Sequence, residues 1–117
     1  MKDVIIGIDI GGTHLRIGGV DRAGQVVCFE KRESREVCGE SGSGTRLIAL
    51  IRDYLARNGL RSRACAIAVG FPSTVSRDKR TVYSSPNLPL GGVDGLDGRD
   101  VVARLEDALG VKTFLDR

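Results

Sequence analysis

Apolar residues crowd the start of the chain: five of the seven residues from Val4 to Ile10 are Val or Ile. Such near-continuous apolarity predicts a strand covered on both faces. Leu15, Ile17 and Val20 extend a second strand, and Asp21-Arg22-Ala23-Gly24 makes the turn into a third over 25–31. Three strands joined by short turns form an antiparallel meander. Residues 32–44 are charged, then rich in Gly and Ser, and read as a mobile connection.

Beyond it, Leu47, Leu50, Ile51, Tyr54 and Leu55 recur at helical spacing, with Arg46, Arg52, Asp53 and Arg57 elsewhere around the helix. This predicts an amphipathic helix over 45–58, closed by Asn58-Gly59. The run Ala-Cys-Ala-Ile-Ala-Val over 64–69 predicts a strand of small residues suited to close packing between layers, ended by the sharp turn Gly70-Phe71-Pro72-Ser73. The stretch 74–96 is irregular, with a short strand over 81–83 and a segment that Pro86 and Pro89 hold extended. Asp97 is placed to cap a second helix, with Asp100 in its first turn, Val101, Leu105 and Leu109 on one face, and Gly110 as the stop. A last strand begins over 111–115.

A length of 117 residues allows one domain with a modest core. The net charge of +3 arises from Lys and Arg interleaved with Asp and Glu, as in Glu30-Lys31-Arg32-Glu33, the pattern of a solvated surface. With no Trp, two Tyr and three Phe there is little to stack on bases, which argues against a nucleic acid partner. No apolar run approaches the ~20 residues of a membrane span, and Met1-Lys2-Asp3 leads into a strand without a signal peptide, so a cytoplasmic protein is expected. Cys28, Cys38 and Cys65 share no CxxC spacing and read as reduced thiols, Cys28 and Cys65 in strands.

The candidate chemistry sits in Gly7-Ile8-Asp9-Ile10-Gly11-Gly12-Thr13-His14. Gly11 and Gly12 permit a turn tight enough for backbone N–H groups to converge on a phosphate, and Thr13 adds a hydroxyl donor. Asp9 sets a carboxylate beside that turn, suited to Mg²⁺ or its waters, so a metal-bound polyphosphate is the natural guest. A Walker loop is excluded because Thr13-His14 replace its Lys-Ser/Thr, and a dinucleotide fingerprint because the turn runs into a strand instead of a helix. A plain Gly-Gly hairpin turn accounts for the same residues.

Taken with the rest of the chain, these residues resemble a known family. Gly7-Ile-Asp-Ile-Gly-Gly-Thr13 resembles the DxGGT phosphate motif of the ROK family of sugar kinases and repressors, and Gly70-Phe-Pro-Ser73 is similar to that family's GxPG turn. Val75-Ser76-x-Asp78-Lys79-Arg80-Thr81 and Ser85-Pro-Asn-Leu-Pro-Leu90 are similar to the D-allose kinases within it. The element order agrees with an α/β fold of the ribonuclease H-like type, the lobe of actin and hexokinase, with a mixed sheet, a three-strand meander and packed helices. The resemblance implies that Asp9 orients Mg²⁺ against the ATP phosphates and that Gly11, Gly12 and Thr13 touch them. His14 stands where many members have Lys. Ser73, where Gly is usual, and Asn87 match positions lining the sugar pocket. Turn chemistry accounts equally for Ser73.

The same resemblance implies transfer of the ATP γ-phosphoryl group to the 6-hydroxyl of an aldohexose such as D-allose. The family's general base would fall just after Arg117; Asp116, two places too early, is expected to point elsewhere. The second phosphate loop and the Cys/His zinc motif would belong to a C-terminal lobe. The 117 residues are therefore expected to be an inactive N-terminal lobe of a homo-oligomeric kinase, self-associating through an exposed face. A sugar-responsive repressor of the family would carry a helix-turn-helix ahead of the motif, which here begins a few residues after Met1. A nucleotide-binding regulator of the actin-like group is the other alternative.

Overall fold

The expected meander is present as β1 (Val4–Ile10), β2 (His14–Val20) and β3 (Val26–Glu33). It is followed by α1 (Ser43–Arg57), β4 (Ala64–Gly70), a small hairpin of β5 (Thr74–Val75) and β6 (Val82–Tyr83), α2 (Val101–Leu109) and β7 (Lys112–Asp116). These elements come from a computed structural model that describes residues 2–83 and 88–116. Five strands form one mixed sheet in the order β3-β2-β1-β4-β7, antiparallel through the meander and parallel from β1 through β4 to β7.

The connections through α1 and α2 both advance across the sheet in the same direction between parallel strands. Right-handed crossovers of that kind set their helices on one face. Burial follows this topology: Val4, Ile6, Ile8 and Ile10 are at most 3% exposed, whereas Ile5 on the opposite face is 49% exposed. The expectation of a β1 covered on both faces is overturned, and Ala66 and Ala68 lie on the open face rather than between layers. On the covered face, Leu47, Ile51 and Tyr54 of α1 and Val101 and Leu105 of α2 are buried in a single core.

Residues 32–44 are anchored, contrary to the reading of a mobile connection. Ser34–Glu36 form a 3₁₀ turn, Ser34, Val37 and Ser43 are buried, and Arg46 donates to the carbonyls of Val37 (3.0 Å) and Ser41 (2.6 Å). The helix expected from residue 45 begins two residues earlier. Residues 74–83 and 88–96 are also held by specific contacts. β5 pairs with β6, and Leu88, Leu90 and Leu96 are buried. Asp100, not Asp97, caps α2, accepting from the Ala103 N–H at 2.8 Å. Asp97 is drawn into a turn instead, because it bridges to Val82 while Gly98, at φ 74°, donates to the Val82 carbonyl at 2.7 Å. Among the described residues no helix is long and apolar enough to cross a membrane.

Candidate active site

Asp9 stands at the C-terminal end of β1 on the open face. Ladder register aligns Lys31, Arg16, Asp9, Gly70 and Asp116 as one row across all five strands. Paired residues of neighbouring strands share a face. Basic groups therefore occupy the β3 and β2 side of the row, and carboxylates the β1 and β7 side. The expectation that Asp116 points elsewhere is overturned, because its pairing with Gly70, itself paired with Asp9, puts it in this row. Strand spacing sets the two carboxylate-bearing residues roughly 9–10 Å apart across Gly70. A Cβ at Gly70 would lie 3.6 Å from Asp9 Oδ1, so the bare backbone there leaves room for the carboxylate to lean over β4.

Next along the strands lies a trough of about 670 Å³ whose lining includes Gly7, Gly18 and Ala68, with Phe29 and Phe114 on the outer strands. Phe29 reaches it through a β-bulge. Cys28 and Phe29 together stand opposite Gly18, Cys28 adopts φ 55°, and the Tyr54 hydroxyl donates to the Cys28 carbonyl at 2.8 Å. Burial, the largest cause, pushes the Tyr54 hydroxyl pKa up to about 12, so this bond keeps its proton at any ordinary pH.

The turn after β1 is held from two sides. The Gly11 N–H donates to the His14 carbonyl (2.9 Å), the Ser34 N–H to Thr13 O (2.9 Å), and the Ser34 hydroxyl to Gly11 O (2.5 Å). A Cβ at Gly11 would stand 2.8 Å from the His14 oxygen, so Gly11 is required to close the turn. Its N–H is thereby committed within the turn rather than offered to a phosphate. The exposed N–H groups of Gly12 and Thr13 have no acceptor among the described residues, and nothing lies within 4 Å of a Cβ at Gly12. His14 begins β2, and its ring makes no hydrogen bond among the described residues.

These groups suit a Mg²⁺-bound polyphosphate. The Asp9 carboxylate is exposed and has no hydrogen bond or ion pair among the described residues, leaving its oxygens open to a hydrated cation. Among the described residues no three His, Cys, Asp or Glu side chains converge as a metal cage. A single carboxylate beside phosphate oxygens is an ordinary way for Mg²⁺ to be held. Ser73 is buried and lies outside the trough lining, and Asn87 falls outside the described residues.

The sequence profile of the ROK family matches residues 5–117. The chain belongs to the ROK family. A glucokinase of Thermotoga maritima is 28% identical over 85 residues, which are 73% of this chain and 26% of that protein. The fold matches that of a ROK family glucokinase from Streptomyces griseus in complex with glucose and AMPPNP (TM-score 0.68, 22% identity, 96% of this chain and 32% of that one). It also matches a ROK family transcriptional regulator, a homologue of the E. coli MLC protein (TM-score 0.74, 19% identity, 97% and 27%). The chain thus spans about a quarter to a third of these relatives. ROK membership and the α/β sugar-kinase-like lobe agree with the sequence reading.

Three contributors escaped that reading. Ser34 pins the turn after β1 but is one serine inside a charged run. Arg16 could have been found, since alternation and hairpin register pair it with Asp9. Lys79, a further part of the trough lining, comes from the β5–β6 turn, and only the tertiary fold brings it there.

Proposed function

We propose that the whole protein is an ATP-dependent hexose kinase that phosphorylates an aldohexose, D-allose, at its 6-hydroxyl, and that residues 1–117 form its N-terminal lobe. The observation that carries this reading is that, among the described residues, the Asp9 carboxylate has no partner and the Gly12 and Thr13 N–H groups of the turn that follows its strand have no acceptor, in a chain of ROK family membership. Asp9 orients the waters of Mg²⁺, while Gly12, Thr13 and the Thr13 hydroxyl hold phosphate oxygens. When bound, the ion neutralises charge on the phosphates being parted. Phosphoryl transfer depends chiefly on such positioning and charge compensation. Gly11 shapes the turn, and His14 replaces the lysine of many relatives with a hydrogen-bonding ring. The general base and most sugar contacts are assigned to the part of the relatives' length that this chain does not span. D-allose is favoured by the run from Val75 to Thr81 and by Ser85 to Leu90, with Asn87 as a sugar contact and Ser73 bordering the sugar site.

The test is ADP release by the natural-length protein with Mg²⁺, ATP and, in parallel, D-allose, glucose, fructose, N-acetylmannosamine or no sugar. Release only with sugar, highest with D-allose, is expected. A second reading, a sugar-responsive regulator, is favoured by the likeness to the MLC homologue. Sugar binding without ADP release would replace the kinase reading with that one.

A further inference from the structure

The turn between β5 and β6 carries a residue in a conformation its side chain disfavours. Lys79 adopts φ 57°, in the left-handed region. The turn runs from Ser76, whose N–H donates to Thr81 O (2.8 Å) and whose carbonyl accepts from the Lys79 N–H (2.9 Å). A hairpin of this kind ordinarily places Gly at the left-handed position, because an L side chain there crowds its own backbone. The strain is enforced by neighbours. The Ser76 hydroxyl donates to Asp78 Oδ1 at 2.6 Å and accepts from the N–H groups of Arg80 (3.2 Å) and Thr81 (3.0 Å).

Two other non-glycine residues share this conformation, and each has a local reason. The Cys28 carbonyl receives the Tyr54 hydroxyl, and the Asp94 carboxylate accepts from the Thr45 N–H and pairs with Arg104. Lys79 is likewise held by its own turn, but among the described residues its ammonium meets no acceptor. Its surroundings are the trough that Asp9, Arg16 and Asp116 also line. Strain that surrounding bonds hold in place, on a residue facing a candidate site, points to a use for the side chain there.

We infer that Lys79 is a phosphate-binding residue of this trough, its ammonium meeting the anionic oxygens of the phosphoryl group passed from nucleotide to sugar. With Arg16 it sets a second cation beside the two carboxylates that line the same trough. This inference rests on the kinase reading for its substrate, and on the cavity and the turn for its geometry.

The experiment compares wild-type, Lys79→Gly and Lys79→Arg natural-length protein. Glycine suits the left-handed position, so Lys79→Gly folds with an equal or higher Tm. Its kcat/KM for sugar-dependent ADP release falls at least tenfold, and Lys79→Arg retains activity within about threefold. Lys79→Gly with wild-type kcat/KM overturns the inference. If wild-type protein releases no sugar-dependent ADP, the kinase reading fails separately, and calorimetric titration with inorganic tripolyphosphate decides the anion site. At least tenfold weaker binding by Lys79→Gly upholds it, and equal binding overturns it.

Discussion

At the scale of the residue, the two adjacent glycines of the turn after β1 have different jobs. Gly11 is needed by the fold, because a methyl group there meets the His14 carbonyl at 2.8 Å. Gly12 borders open space. Gly11→Ala is therefore expected to cost about 1–3 kcal/mol of stability by overpacking. Gly12→Ala should leave thermal unfolding unchanged while weakening Mg²⁺-ATP binding by the natural-length protein. Thermal melts and ATP titration of both variants check this; equal destabilisation by the two would contradict it. The sequence could not separate these roles. Gly-Gly marks both a hairpin and a phosphate turn, and only the approach of the His14 oxygen assigns Gly11 to the first.

At the scale of the element, α1 starts at an N-cap, Gly42, that has no side chain to satisfy the first N–H groups. Asp94, from the loop before α2, fills that role. Its carbonyl accepts from the Gly44 N–H at 2.8 Å and its carboxylate from the Thr45 N–H at 3.1 Å. The Thr45 and Arg104 bonds hold the Asp94 pKa down to about 2, from an ordinary 3.8. A lowered folded-state value means that the unfolded chain binds the proton more readily. The contribution of Asp94 is thus present above pH 3.8 and is lost as pH falls toward 2. Asp94→Asn should lower stability at pH 7 and flatten the fall in stability between pH 4 and 2, followed by chemical denaturation at each pH. An unchanged slope would contradict the assignment. Helix periodicity made both helices legible, as the buried Leu47, Ile51, Tyr54 and Leu105 attest. The cap was not legible, because its donor and acceptor are remote in sequence and meet only after the sheet has brought the two loops together.

At the scale of the whole molecule, topology explains the main departure from the sequence reading. A continuous apolar run such as Val4 to Ile10 describes a strand built to be covered twice, but both crossovers deliver their helices to one face. Ile5, Val26, Phe29 and Phe114 are left between 49% and 65% exposed on the other. The 117-residue chain alone is expected to associate with a second copy through this face. Arg16 and Lys31 toward one edge and Asp9 and Asp116 toward the other let a two-fold related copy set unlike charges together. Sedimentation velocity should show concentration-dependent dimer that Phe114→Asp shifts to monomer; a monomer at all concentrations would contradict it. We propose that Asp9, at the end of β1, serves phosphoryl transfer. The most direct measurement is ADP release from Mg²⁺-ATP with D-allose by natural-length wild-type and Asp9→Asn protein in parallel. One ADP per sugar phosphate is expected for the wild type, and kcat lower by roughly 10–100-fold at an unchanged Tm for Asp9→Asn. Wild-type turnover by Asp9→Asn, or no sugar-dependent ADP from the wild type, would contradict it.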